Sequence, residues 1–251
     1  MRNGNVIAII PAAGQGVRMG TKKQFLKLAG IPIFVHTLRK FAACDELSEI
    51  YIASPREDIP GIEETLQSEK LRIPVTVIRG GNRRQDSVEN CLQAVPSDTE
   101  LVAVHDAVRP FVSGEQIAAV IREAARAGAA ILGILCVDTV KQVERTVGNG
   151  TKIVGTIPRD RIVLAQTPQV FRCDLLRQAY QKAHEENFSA TDEASLVEHL
   201  GAEVMVVPGS PNNIKITTPA DLELAKLYLE QERAGSGLPK PKPLEREAAK
   251  R

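Results

Sequence analysis

Five short β-branched runs, at 6–10, 50–53, 75–78, 101–105 and 130–135, alternate along the chain with segments whose apolar residues recur at i, i+3, i+4 and i+7. That alternation is the pattern of β-α-β units wound around one sheet. It predicts an α/β, Rossmann-like fold with a mainly parallel twisted sheet flanked by helices. The runs are nearly continuous, as strands covered on both faces must be. The stripes Phe34/Leu38/Phe41/Ala42, Val88/Cys91/Leu92/Val95 and Ile117/Val120/Ile121/Ala124 each mark the buried face of one helix.

After Cys136 the rhythm changes. Residues 139–144 and 152–157 read as two polar, alternating strands joined by Gly148-Asn149-Gly150, a hairpin turn. Such a ribbon has no core of its own and is marginal in water alone. The expectation is a β-hairpin arm at 137–160 that projects and docks on a second copy of the chain, giving a homodimer. The chain returns through 163–171, a helix with the stripe Leu176/Ala179/Tyr180/Ala183, and a helix entered at Thr191-Asp192-Glu193 and closed by Gly201. Two short strands, 203–207 and 214–216, precede a last helix with Thr218 as N-cap and Pro219 at its first position. Residues 1–233 thus form one domain carrying the arm. Residues 234–251, rich in Pro, Gly and Lys, read as a disordered tail.

Composition narrows the partners. The 251 residues carry 32 Lys+Arg against 31 Asp+Glu, so a basic surface for nucleic acid is not expected. No apolar run approaches the roughly 20 residues that span a bilayer, and the N-terminus leads straight into a strand; no membrane partner is expected. Cys44, Cys91, Cys136 and Cys173 are scattered among apolar neighbours and read as reduced core thiols of a cytoplasmic protein. No two of His36, His105, His184 and His199 have helical metal-ligand spacing, which argues against zinc.

The segment 11–20, PAAGQGVRMG, follows the first strand at the carboxyl edge of the expected sheet, where open α/β folds bind ligands. Small residues at Ala12, Ala13, Gly14 and Gly16 let backbone N–H groups approach an anion, and Arg18, Lys22 and Lys23 add positive charge. A nucleoside triphosphate fits this loop. The dinucleotide fingerprint does not, because Gly20 falls one place late and the second strand ends without an acid; nor is there a Walker lysine. Asp106, in His105-Asp106-Ala107-Val108-Arg109-Pro110, ends the most apolar strand. It is placed either to hold Mg2+ or to close the strand in an Asp–Arg pair. In Gly80-Gly81-Asn82-Arg83-Arg84-Gln85-Asp86-Ser87 a glycine turn precedes a helix capped by Asp86 or Asn82. Lys215 stands in an otherwise apolar strand, where a buried ammonium needs an anionic partner.

Taken together, these blocks resemble the 2-C-methyl-D-erythritol 4-phosphate cytidylyltransferase family of the non-mevalonate isoprenoid pathway. The resemblance spans about 6–229. It rests on Pro11-Ala12-Ala13-Gly14-x-Gly16-x-Arg18-Met19, Lys23-Gln24-Phe25, Asp86-Ser87-Val88, Val104 to Pro110, Asp138-Thr139-Val140-Lys141, Gln166-Thr167-Pro168-Gln169, Thr191-Asp192-Glu193-Ala194 and Asn213-Ile214-Lys215-Ile216-Thr217.

The resemblance implies Mg2+-dependent transfer of CMP from CTP to the phosphate of methylerythritol phosphate, without a covalent enzyme intermediate. It implies Arg18, Lys23 and Lys215 as the catalytic cations. Pro11, Ala12, Ala13, Gly14, Gly16, Gly81, Asn82 and Ser87 are implied for CTP, with Asn82 where an acidic residue is common. Asp106 is implied near the metal and the substrate hydroxyls. Arg109, Thr167 and Lys215 of one subunit, with Thr139 and Arg159 of the other subunit's arm, are implied for the acceptor. Ribitol 5-phosphate cytidylyltransferases share most blocks, and Thr139-Val140-Lys141 with Arg159 favours methylerythritol phosphate. A nucleotide-binding regulator without turnover is the alternative of another class. Keeping Arg18, Lys23, Asp106 and Lys215 together argues against it.

Overall fold

Side chains reverse face at each step along a strand, so a strand that is apolar throughout must be covered on both sides. In the strand Val6–Pro11 (β1), Val6, Ala8 and Ile10 enter one core and Ile7 and Ile9 another, and all five are buried. The structure, a computed structural model, describes residues 5–14, 25–145 and 150–235. After β1 come the two-residue strands Lys27–Leu28 (β2) and Ile31–Pro32 (β3), helix Ile33–Ala42 (α1), strand Leu47–Ser54 (β4), helix Ile59–Ser68 (α2), strand Val75–Arg79 (β5), helix Arg84–Ala94 (α3) and strand Leu101–Val104 (β6). Helix Gly114–Ala127 (α4), strands Ala129–Leu135 (β7), Val140–Arg145 (β8), Thr151–Ile157 (β9) and Val163–Arg172 (β10) follow. Helices Cys173–Glu185 (α5) and Glu193–Leu200 (α6), strand Met205–Pro208 (β11) and helix Pro219–Arg233 (α7) complete the order.

Seven strands form the main sheet in the order β11-β7-β10-β6-β1-β4-β5. β1 lies parallel to β4 and β6, β4 to β5, and β7 to β11, whereas β10 is antiparallel to both β6 and β7. The mainly parallel α/β sheet read from the sequence is therefore the fold. Helices α1, α2 and α4 cover the face of Ala8 and Ile10; α3, α5 and α6 cover that of Ile7 and Ile9. A third, smaller core joins α7 to Leu28, Phe111 and Ile216, with the Tyr228 ring edge-on to Phe111 at 5.6 Å.

Segment 214–216 is a correction: it is not a strand. Its alternating Ile214 and Ile216 pack into the core beneath α7, and the Ile216 N–H donates to Val108 at 3.0 Å, so burial rather than a strand ladder explains the pattern. The start of α3 is a second. Extended Arg83 is the N-cap, and Asp86 reaches back to accept from the Arg83 N–H at 3.1 Å. Asp192 and Thr218 do cap α6 and α7, accepting from Ser195 and Asp221, and Gly201 closes α6 at φ +93°. Cys44, Cys91 and Cys173 are buried, while Cys136 is only partly so. None of the helices among the described residues is long and apolar enough to cross a membrane.

β8 and β9 make an antiparallel ribbon separate from the main sheet, with nearly every side chain exposed. The expected turn residues Gly148 and Asn149, and residues 236–251 of the expected tail, lie outside the described residues.

Candidate active site

Parallel strands end together, so β1, β4, β5 and β6 deliver their following loops to one edge of the sheet. At that edge the Ala12 N–H donates to Ala53 and the Gly80 N–H to Ser54, each at 2.8 Å, which draws the loop after β1 against the turn after β5. The approach is close. A Cβ on Gly80 would lie 2.5 Å from the Ala13 Cβ and 3.1 Å from Ser87 Oγ, and one on Gly81 2.4 Å from the Asp86 Cβ. Glycine is thus required at both positions. Ser87 is buried and fixes the turn: its hydroxyl accepts from the Gly81 N–H at 3.1 Å and donates to the Arg83 carbonyl at 3.0 Å. The structure so brings Pro11, Ala12, Ala13 and Gly14 beside Gly81 and Ser87, with Asn82 exposed at the rim. Gly16, Arg18 and Lys23 lie outside the described residues.

Asp106, one step beyond the end of β6 and His105, is the electrostatic centre. Its Oδ2 lies 2.8 Å from Lys215 Nζ and 3.5 Å from Arg109 Nε, and its Oδ1 3.2 Å from Arg84 Nε. Burial pushes the carboxyl pKa up, but Arg84, Lys215 and Arg109 reverse that and hold it well below the usual carboxylate range. Arg84 continues the network inward, its Nη1 2.8 Å from both oxygens of Glu193. The Tyr180 hydroxyl stands 3.3 Å from Glu193 Oε1 and from the Gln85 carbonyl. Three cations face two carboxylates, which leaves the cluster one positive charge in excess, and the exposed Lys215 ammonium is where that charge meets solvent. An anionic phosphate is the complementary ligand.

A second network fixes the Asp106 backbone. His105 is fully buried and its Nε2 lies 3.0 Å from the Arg109 carbonyl, which can only accept, so Nε2 carries the proton. Nδ1 must then accept, and the Thr167 hydroxyl 3.0 Å away donates to it while accepting from the Asp106 N–H at 3.1 Å. The neutral imidazole agrees with its surroundings: burial lowers the His105 pKa to about 4. Thr167 reaches this position because Gln166 and Gln169 pair with consecutive residues of β7, Leu132 and Ile131, so Thr167 and Pro168 bulge from the ladder. Buried Asn213 donates to the Thr167 carbonyl at 2.9 Å, and Arg109 Nη1 donates to the Asn213 carbonyl at 2.6 Å. That link ties the loop carrying Lys215 to β10 and to the end of β6.

Asp106, Arg109, Thr167 and Lys215, far apart in sequence, therefore converge. Thr139 and Arg159 stand on the exposed arm instead, where Arg159 Nη1 donates to the Val137 carbonyl at 2.7 Å. Arg84, Glu193 and Tyr180 escaped the sequence reading. Arg84 lay unremarked in a glycine turn, Glu193 read as part of a helix start, and Tyr180 was one residue of a core stripe. Only the burial of Glu193 distinguishes it, and burial has no signature at a helix N-terminus, where an acid is ordinary. Among the described residues no group of three or more His, Cys, Asp or Glu side chains could by itself hold a metal ion.

The model of the 2-C-methyl-D-erythritol 4-phosphate cytidylyltransferase (IspD) family matches residues 6–231. The 2-C-methyl-D-erythritol 4-phosphate cytidylyltransferase of Solibacter usitatus is 51% identical over 242 residues, covering 93% of this chain and 99% of that protein. Among solved structures, the 4-diphosphocytidyl-2C-methyl-D-erythritol synthase of Anaerococcus prevotii superimposes with a TM-score of 0.79 at 31% identity, covering 91% of this chain and 97% of that one. The Francisella tularensis 2-C-methyl-D-erythritol 4-phosphate cytidylyltransferase gives 0.75 at 35%, covering 89% and 99%.

Proposed function

The chain belongs to the 2-C-methyl-D-erythritol 4-phosphate cytidylyltransferase family and acts as a CTP-dependent cytidylyltransferase of isoprenoid biosynthesis; on that premise we propose how its residues divide the work. A phosphate oxygen of methylerythritol phosphate attacks the α-phosphorus of CTP in line. The new P–O bond forms as the bond from the α-phosphorus to the β-phosphate oxygen breaks, and pyrophosphate leaves. Two polyanions must meet, so positioning and cationic stabilisation are the tasks of the protein.

The loop of Pro11, Ala12, Ala13, Gly14 and Gly16 cradles the triphosphate with backbone N–H groups, and Gly81, Asn82 and Ser87 hold the nucleoside. Arg18, Lys23 and Lys215 stabilise the charge that builds on the phosphorus. Asp106 orients Lys215 and meets the acceptor's hydroxyls. Arg109 faces the acceptor, while Thr167 fixes the Asp106 amide. The observation that carries this reading is the excess positive charge around Asp106, exposed at Lys215, at the sheet edge where the glycine-rich loops meet.

The donor set is compatible with Mg2+. That ion is commonly held by one or two carboxylates plus substrate phosphates, and Asp106 is a carboxylate at the sheet edge beside the exposed Lys215, where the substrate phosphates would lie. Bound there with CTP, Mg2+ would neutralise phosphate charge.

The protein works as a homodimer in the cytoplasm, each arm completing the other subunit's acceptor site with Thr139 and Arg159. Exposed Val143, Ile153 and Val154 on the ribbon, with Leu135 and Leu164 at its foot, supply the apolar surface for docking. Pyrophosphate release, measured with CTP, UTP or ATP against methylerythritol 4-phosphate or ribitol 5-phosphate, with and without Mg2+, tests the reading. Release confined to CTP, methylerythritol phosphate and Mg2+ is expected. Release with ribitol phosphate, or undiminished release in EDTA, overturns the acceptor or the metal assignment.

A further inference from the structure

Glu193 is a buried carboxylate that the reaction as described does not use. Its side chain is 1% exposed, too deep to meet a substrate. Nor is it needed to cap α6: Asp192 does that, accepting from the Ser195 N–H at 3.1 Å and the Ser195 hydroxyl at 2.6 Å. The helix start is further pinned to β10, since Gln169 donates to Asp192 at 2.7 Å and accepts from the Ala194 N–H at 3.0 Å. Glu193 is thereby held on the strand that also carries Thr167.

A buried carboxylate is costly unless paired, and the partner it has is Arg84. An arginine beside one carboxylate prefers to address both oxygens with its planar fork. Arg84 does not do this to Asp106. Glu193 fixes the plane of the guanidinium by taking Nη1 with both oxygens at 2.8 Å, and in that orientation Arg84 meets Asp106 through Nε alone, 3.2 Å from Oδ1, with no Nη2 hydrogen bond to Oδ2. Asp106 Oδ2 thus keeps Lys215 at 2.8 Å as its near partner, with Arg109 Nε farther off at 3.5 Å.

We propose that Glu193 is a positioning residue for cytidylyl transfer: by holding the guanidinium of Arg84 it restricts Arg84 to one oxygen of Asp106 and reserves the other for Lys215. Without its charge, Arg84 turns its fork onto both Asp106 oxygens and releases Lys215 from its place. The inference rests on the roles proposed above for Asp106 and Lys215.

The test is steady-state pyrophosphate release by the full chain carrying Glu193→Gln, Asp106→Asn, both together, or Lys215→Ala. Glu193→Gln is expected to lower kcat on the order of 10- to 100-fold, the scale of a displaced catalytic group. KM for CTP is expected to stay within about twofold, because the Gly81–Ser87 turn keeps its own Ser87 hydroxyl bonds to Gly81 and Arg83 when the Arg84 side chain turns. Added to Asp106→Asn, it should lower kcat no further, since the carboxylate it protects from Arg84 is gone. A merely structural residue would instead multiply the two losses. Wild-type kcat in Glu193→Gln, or multiplying losses, overturns the inference while Asp106→Asn and Lys215→Ala stay impaired. Wild-type rates in those two variants overturn the underlying site assignment as well. Should Glu193→Gln not fold, Glu193→Asp keeps the charge but withdraws it by one methylene. The same kcat loss at unchanged CTP KM supports the inference, and wild-type kcat overturns it.

Discussion

Lys215 Nζ lies 2.8 Å from Asp106 Oδ2, joining the loop after β11 to the end of β6 across the antiparallel strand β10. The pair is asymmetric: the Asp106 side chain is 9% exposed and that of Lys215 42%. The carboxylate is the fixed member and the ammonium the one that can reach a ligand.

Lys215→Ala should therefore cost activity without costing the fold. Asp106 keeps Arg84 and Arg109 as partners, so its charge remains compensated. Loss of a donor to developing phosphoryl charge is worth about 100-fold or more in kcat. Pyrophosphate release and a thermal melt on the same preparation check this. A lowered kcat with a melting temperature near wild type is the expected pair of results.

Acid should destabilise the protein through His105 before most carboxylates protonate. Its folded pKa is lowered, to about 4, by burial, against about 6.5 in an unfolded chain. Between those values the unfolded state takes up a proton that the folded state refuses, so stability falls as pH drops from about 6.5 to 4. The loss at the lower limit is up to about 3 kcal/mol. Urea unfolding at pH 7 and pH 5 should show a decline that is smaller in His105→Gln.

Gly80→Ala should loosen the loops proposed to hold CTP. The added methyl would stand 2.5 Å from the Ala13 Cβ, and overpacking of this kind costs about 1–3 kcal/mol. A raised KM for CTP is expected, from displacement of the loop after β1. Adding Ala13→Gly removes the clash and should recover part of the loss. CTP titration of both variants measures it.

In the dimer proposed above, Ile153→Lys should separate the subunits. Ile153 is 59% exposed and pairs across the ribbon with Val143, itself 50% exposed. A charge there penalises an apolar contact while leaving the main sheet alone. On the proposal that each arm completes the other subunit's acceptor site, sedimentation at micromolar concentration should give a monomer, with activity falling as Thr139 and Arg159 are withdrawn.

Much of this was legible along the chain. The runs 6–10 and 50–53 lie within β1 and β4 and are buried throughout, because runs covered on both faces are continuous in apolar residues and little else is, and 75–78 and 130–135 lie within β5 and β7. The cap at Thr218 and the close at Gly201 follow from local backbone chemistry, which depends only on neighbours in sequence. Segment 214–216 misled for the same reason: alternation reports which side chains are buried, not what buries them, and here the cover is α7.

The sequence by itself determined the layered α/β fold, the glycine turns and the identity of Asp106, Arg109 and Lys215 as residues of interest, since each is written in a local run, whereas Thr167 entered only through the family resemblance. Only the tertiary structure decided which charges meet. The tautomer of His105, the engagement of the Thr167 hydroxyl and the chain from Tyr180 through Glu193 and Arg84 to Asp106 depend on side chains from separate elements arriving within hydrogen-bond distance. Charge interactions at contact range are set by distance and burial in space, and neither quantity is carried by spacing along the chain.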